Sequence, residues 1–389
     1  MRITVLAGGI GGARFTRGLL HHLDRSGGEP GPSGGADITV VGNTGDDIRV
    51  FGLQVCPDLD TVMYTLGGGI SEERGWGRED EGFVVKEELA ASGVEPSWFG
   101  LGDRDTATHL VRTQMLAAGY PLSAVTAALC ARWQPGVTLL PMTDQRVETH
   151  VVVDGDEPGT RRAIHFQEWW IRHRAALPAR EVVLVGADKA SPGPGVLEAI
   201  RDADVVLLPP SNPVVSVGTI LQVPGVREAV ATTAAPVVGI SPIVGGAPVR
   251  GMADACLTAI GVETTAEAVA RHYGARRPLI GEPGTGLIDG WLVHDGTDSG
   301  AAAPLEALGI ATRAVPLLMT DLDATAAIAA AALDLATAVR RCTTCRCSAS
   351  PGCPRSRPAT TSSRCSPRCS RGWSGPTGPR ASATTTSSS

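Results

Sequence analysis

Apolar and polar positions follow one another along this chain in blocks that read as strands leading into helices. Arg2–Ala7 (RITVLA) is a short apolar run and predicts a buried strand; a glycine turn leads from it into a helical pattern that reaches Leu23. Ile38–Val41 predicts a second strand. Helical spacing returns at Thr61–Leu66, in FVVKEELAASG, after Leu101-Gly102-Asp103 and over Pro121–Gln134. Val137–Pro141 and Glu148–Val153 read as strands. Strand and helix then alternate again, with strands at Arg180–Gly186, Ala203–Leu208 and Pro236–Ile240. Helices at Gly251–Gly261 and Thr265–Tyr273, strands near Gly290–Val293 and Arg313–Val315, and an alanine-rich helix at Asp323–Val339 complete the pattern. The fold expected is α/β: a Rossmann-like, mostly parallel sheet with helices on both faces. A mainly helical insertion occupies about 60–135 of a body spanning 1–340.

The polar breaks in this pattern carry the chemistry. Gly8-Gly9-Ile10-Gly11-Gly12 joins the first strand to the first helix, where backbone N–H groups and a helix N-terminus favour a phosphate. It matches neither GxGxxG nor GxxxxGK[ST], so its weight comes from being the first βα turn. The alternative is a tight turn that lets helix and strand pack closely. Val40–Thr61 (VVGNTGDDIRVFGLQVCPDLDT) holds Asp46/Asp47 and Asp58/Asp60, each set beside an apolar run. Carboxylates beside a core are costly unless a cation, an arginine or hydroxyls compensate them. Read singly, Asp46 and Asp47 are turn residues and Asp58 caps a helix after Pro57. Read together, downstream of the glycine loop, they point to a ligand or metal.

Further along, Ile70–Gly82 reads as a loop at the mouth of a site, and Lys86 follows on a helix whose ordinary reading is a solvated face. Asp105, Thr108, His109 and Arg112 share one helix face, and with Arg104 suggest an anion site; a packed histidine is the alternative for His109. Gln167 and Glu168 stand among three aromatics of IHFQEWW, in a chain only 4% aromatic. Core packing is the simpler use of that cluster, and stacking on a flat heterocycle the other. The loops Pro209–Ile220 and Ser241–Gly246 follow apolar strands, where open α/β sheets take their ligands.

Composition narrows the classes. The 389 residues suffice for one large or two modest domains, and no run of eighteen apolar residues suggests a membrane span. Met1-Arg2 leads straight into a strand rather than a signal peptide, so the expected location is the cytoplasm. The net charge of −6 hides a split. Nine arginines and no acid lie between Arg340 and Ser389, leaving 25 basic and 40 acidic side chains in the body, a balance of −15. An acidic body does not suit nucleic acid. The segment 341–389 is rich in Ser, Thr, Arg, Pro and Cys, and reads as disordered or as an out-of-frame end. Its Cys342-x-x-Cys345-x-Cys347 lacks the histidines and regular spacing of a zinc site.

The blocks LAGGIGGARF, NTGDDIRVFGLQVCPDLDTVMYTLGGGI, WFGLGDRDTATHLVR, LPMTD, HFQEWW, PPSNPVVSVGTIL and SPIVGGAPVRG, in this order, resemble the 2-phospho-L-lactate transferase family, whose actinobacterial members are phosphoenolpyruvate transferases of coenzyme F420 biosynthesis. The resemblance covers about Met1–Arg340. One departure is Val249-Arg250-Gly251-Met252, where many relatives carry Lys-Gly-Pro. The resemblance implies a magnesium-dependent reaction: a guanosine-diphospho donor carries lactate or enolpyruvate through a phosphate, the terminal hydroxyl of the deazaflavin Fo attacks phosphorus, and GMP leaves. It implies a homodimer as well. Asp46, Asp47 and Asp60 are the expected metal ligands, with Asp47 and Asp60 also the catalytic pair. Gly9, Gly11, Gly12, Asn43, Asp58, Ser211, Asn212, Ser216, Thr219 and Gly245 would contact substrate. Arg104, Lys86 and His109 would face Fo or the carboxylate of the transferred acid.

Two other functions compete. A nucleotide-sugar-binding regulatory protein would share the glycine loop but has no use for the GDD…PDLD acids with LGDRDTATH. A nicotinamide-dependent oxidoreductase would share the first βαβ unit, yet strand two ends in no single ribose-binding acid.

Overall fold

Uninterrupted apolar runs build the central sheet, because a parallel strand is covered on both faces and has no side to leave polar. In the computed structural model, which describes residues 1–26, 35–277 and 286–348 with side chains to Arg341, seven such strands form one sheet. They are β1 (Arg2–Ala7), β2 (Asp37–Gly42), β3 (Thr138–Pro141), β4 (Val205–Leu208), β5 (Val237–Ile240), β6 (Gly290–His294) and β7 (Ala311–Val315). Their order is β7-β6-β5-β4-β1-β2-β3, and every pairing is parallel. The expected Rossmann-like α/β architecture is therefore observed. From β1 the chain proceeds outward through β2 and β3, then returns to lay β4 on the other side of β1. That reversal opens a crevice at the C-terminal ends of β1 and β4.

Two apolar cores cover the two faces. One packs Phe15 and Leu19 of α1 (Gly9–Ser26), Leu59 and Met63 of α2 (Pro57–Leu66), and Ile328 and Leu335 of the final helix. The other gathers Ile200, Ile220, Val230 and Val269 from the helices following β3, β4 and β5. Between β2 and β3 lie α2, α3 (Val84–Ala91), α4 (Asp103–Ala117) and α5 (Leu122–Trp133), with a short hairpin pairing Ile48–Val50 and Leu53–Val55. Phe51 (φ 52°) and Gly52 (φ 76°) make its two-residue turn.

The strand at Glu181–Val185 corrects one expectation. It does not resume the βαβ alternation. It pairs antiparallel with Glu148–Asp154, which also pairs antiparallel with Arg161–His165 in a separate three-stranded sheet. EVVLV reads like a doubly covered strand, but its ends are exposed and only Leu184 is fully buried. The aromatic cluster also resolves: Phe166 and Trp169 are core residues and Trp170 is exposed. The final helix runs Leu322–Ser348, beyond the expected Val339. It is long and apolar enough to cross a bilayer by composition, but packs Ile328, Ala329, Ala332 and Leu335 into the core. The chain divides into Met1–Thr344 and Cys345–Ser389. The readings of the tail beyond Ser348, and most of the Ser26–Gly35 loop, lie outside the described residues.

Beneath β5 and β6, the Asp289 carboxylate accepts from Val237 N–H (2.9 Å) and from Arg276 (3.0 Å), which also donates to the carbonyls of Val230 and Ala235. Both side chains are buried. Asp289→Ala strands the guanidinium, and a urea melt should show roughly 3–5 kcal/mol of lost stability. A loss under about 1 kcal/mol would mean that the pair is solvated.

Candidate active site

Four loops leave the C-terminal ends of β1, β2, β4 and β5 around the crevice. The first and third are fastened together: Ser211 Oγ–H donates to Gly8 O (3.0 Å) and its oxygen lies 3.3 Å from Gly8 N–H. Glycine is required here by proximity. A Cβ on Gly8 would stand 2.2 Å from Ser216 Cβ, and one on Gly11 2.3 Å from Pro210 O. Gly9 takes φ +27°. Asn212 shapes its loop by accepting from Val214 and Val215 N–H (2.9 and 3.2 Å). Thr219, on the next helix, lays its methyl against Gly45. Gly9, Gly11, Gly12, Ser211, Asn212, Ser216 and Thr219 thus line one side of the crevice.

The carboxylates form the other side. Asp46 and Asp47 sit in the turn after β2, and Asp58 lies in the first turn of α2. Asp58 does not cap that helix, since Cys56 occupies the cap position without a side-chain bond. It reaches back instead, accepting from Asn43 Nδ2 (2.9 Å) and from the backbone of Gly9. Asn43 also donates to Val215 O (3.2 Å) and accepts from Gly45 N–H (2.9 Å), so one buried amide ties three loops.

All four aspartates are at most 8% exposed, which makes their charge expensive. Burial raises Asp46 well above the usual carboxylate range, and the charge on Asp58 adds to it. Burial likewise raises Asp47, against the Cys56 thiol and the Arg112 guanidinium. Asp58 is pushed up to about 6, chiefly by burial. Oδ1 of Asp46, Oδ1 of Asp47, and the hydroxyls of Thr44 and Thr149 are buried without hydrogen-bond partners among the described residues. Hard oxygen donors carrying uncompensated charge fit a divalent cation such as Mg2+, which takes one or two carboxylates and completes its shell with water or phosphate.

Asp60, an expected metal ligand, lies close enough to Asp105 and His109 to hold an ion with them. It pairs with Arg112 of α4 through both oxygens. His109 departs from expectation. It and Arg112 do not join Arg104 in an open anion site; both are buried and face α2. Arg104 is exposed, 3.9 Å from Asp80. Lys86 rests against Gly100, and Gly245 gives its N–H to Asp298 (3.0 Å). The contacts of Arg104 and Gly245 are thus with other carboxylates, Asp80 and Asp298.

The small antiparallel sheet supplies contacts that the sequence reading missed. Thr149 N–H donates to Gly45 O (2.6 Å). His165 Nε2–H donates to Asp47 O (3.2 Å), while Nδ1 accepts from Gln167 N–H (3.1 Å). Accepting at Nδ1 requires the neutral ring, and burial lowers its pKa accordingly. The alternation in ETHVVVD would have put Thr149 on the inward face, but nothing local says what lies opposite.

Residues 3–311 match the family described as 2-phospho-L-lactate transferase CofD. The chain belongs to this family. Its similarity to curated members is high: 67% identity over 340 residues with the phosphoenolpyruvate transferase of Streptomyces griseus subsp. griseus, covering 87% of this chain and 100% of that one. The enzymes of the same name from Thermobifida fusca (65%, covering 86% and 98%) and Mycolicibacterium smegmatis (60%, covering 86% and 99%) are similar too. Among solved structures, a UPF0052 family protein from Bacillus halodurans shares the fold at 20% identity in two crystal structures, with TM-scores of 0.52 and 0.54; they cover 85% of this chain and 98% and 99% of theirs.

The raised carboxyls give the transferase a defined pH dependence. Asp46, Asp47 and Asp58 hold their protons to higher pH when folded than when unfolded, where the value is about 3.9. Their stabilising contribution is complete below that value and is lost as pH rises through the folded values, about 6 for Asp58. The melting temperature of chelator-treated protein should therefore fall as pH rises from about 4 through about 6, the Asp58 value, and Mg2+ should raise it more at the upper end. A flat profile unaffected by Mg2+ would contradict this account.

Proposed function

We propose that this transferase moves a phosphoenolpyruvyl group, or the 2-phospho-L-lactyl group, from a guanosine-diphospho donor to the terminal hydroxyl of Fo in the cytoplasm. The step belongs to coenzyme F420 biosynthesis. The observation that carries the reading is the set of buried, incompletely partnered carboxylates facing a glycine loop, in a chain 67% identical to a phosphoenolpyruvate transferase. The curated relatives described above all bear that name, which favours the enolpyruvyl donor.

The chemistry follows from the parts. A bond forms between the Fo hydroxyl oxygen and the phosphorus bearing the acid, the bond from that phosphorus to GMP breaks, and the hydroxyl proton is released. Transfer at phosphorus asks a protein mainly to position groups and neutralise charge. The N-terminus of α1 and the glycine backbone would receive the diphosphate, with Ser211 and Ser216 alongside. Asn43 and Asp58 keep the three loops in register around it. Mg2+ held by Asp46 and Asp47 would supply the positive charge that offsets the diphosphate and the departing GMP. The regulatory-protein reading rests on the shared glycine loop and architecture alone.

Purified protein incubated with Fo, Mg2+ and each donor should yield dehydro-F420-0 and GMP from the enolpyruvyl donor by mass spectrometry. Asp47→Asn should lower kcat by roughly a hundredfold or more. Guanine-nucleotide binding with no product from either donor would replace the transferase reading by the binding-protein one.

A further inference from the structure

Asp60 stands in an electrostatic setting unlike that of the other three aspartates. Arg112 Nη1 lies 3.0 Å from Asp60 Oδ2, and Nη2 is in close contact with Oδ1, so both oxygens are taken. The side chains are only 6% and 2% exposed. Arg112 Nη1 also lies 3.1 Å from His109 Nδ1. A guanidinium only donates, so Nδ1 accepts and Nε2 carries the proton. Nε2 lies 3.3 Å from Asp105 Oδ2, and Asp105 Oδ1 accepts from Tyr64 O–H at 2.7 Å. Contacts from Asp60 through Arg112, His109 and Asp105 to Tyr64 thus join α2 to α4.

Asp60, Asp105 and His109 are close enough together to suggest a metal-binding trio. Arg112 answers that suggestion by filling the position with a fixed charge. Burial works against that charge, but Asp60 outweighs it and holds the guanidinium protonated. The same charge is felt at Asp47. An incoming cation thus meets unpartnered oxygens at Asp46 and Asp47, and at Asp60 a neutralised carboxylate with a positive group beside it.

We propose that Arg112 is a positioning residue that withholds Asp60 from the divalent cation, dividing the four carboxylates into a cation-binding set containing Asp46 and Asp47 and an ion-paired Asp60. This rests on the cation assigned to Asp46 and Asp47 under the proposed function. The division has a consequence a merely structural ion pair lacks: metal affinity senses Asp60 only through its charge, and not as a ligand, until Arg112 is removed.

The test is Mn2+ binding to the full chain, read from free Mn2+ by electron paramagnetic resonance, with no turnover involved. Asp60→Asn keeps one acceptor for Arg112 and removes one charge without removing a ligand, so it should weaken binding by no more than about threefold, while Asp47→Asn weakens it by about tenfold or more. Arg112→Gln frees the Asp60 carboxylate and should tighten Mn2+ by about tenfold, one added ligand worth a factor of this order. Should that variant not fold, the two aspartate variants decide alone. Equal weakening by Asp60→Asn and Asp47→Asn overturns the division and leaves the cation reading intact. Absence of Mn2+ binding in the unaltered protein overturns both.

Discussion

Four aspartates lie under the surface of one crevice, and their mutual repulsion and desolvation shape everything around them. Such a set persists only where the surrounding structure compensates it or a ligand does. Here the compensation is partial and uneven. Asp60 has an arginine, Asp58 has an amide and a backbone N–H, and Asp46 and Asp47 each retain an oxygen with no partner among the described residues. The unevenness is what makes the site chemically directional. Positive charge is welcome at one end of the set and already present at the other.

The fold places this charge where a sheet of this order has room for it. Reversal of the strand order at β1 sets the loops after β1 and β4 side by side as one wall, and the carboxylates face it from the β2 side. Glycines 8, 9, 11 and 12 keep the opposite wall at backbone thickness, which lets Ser211 and Ser216 approach it. Asn43 then spans the gap, linking the β2 loop to α2 and to the loop after β4. A substitution at any of these points moves the walls relative to one another, so the geometry is held collectively.

The insertion between β2 and β3 has a second role. Its helix α4 provides Asp105, His109 and Arg112 to α2, so the polar face seen in the sequence is turned inward as a brace. The small antiparallel sheet braces the opposite side through Thr149 and His165. Two peripheral elements therefore hold the Asp46–Asp60 segment from both flanks. The conformational freedom removed from those carboxylates is freedom that need not be lost when substrate arrives.

By itself the sequence determined the strands of the central sheet, the glycine turn and the four aspartates, because each is written locally: apolar runs of strand length, a loop only glycine can form, and acids beside a core. It also carried the family, through blocks too specific to recur by chance. What it could not decide was how partners pair across the chain. EVVLV looks the same whether its neighbour is parallel or antiparallel, and only tertiary pairing placed it in the small sheet. The face bearing His109 and Arg112 is equally compatible with binding an outside anion or an inside carboxylate. Packing of α4 on α2 chose the carboxylate, since burying the Arg112 guanidinium unpaired would cost far more than pairing it with Asp60.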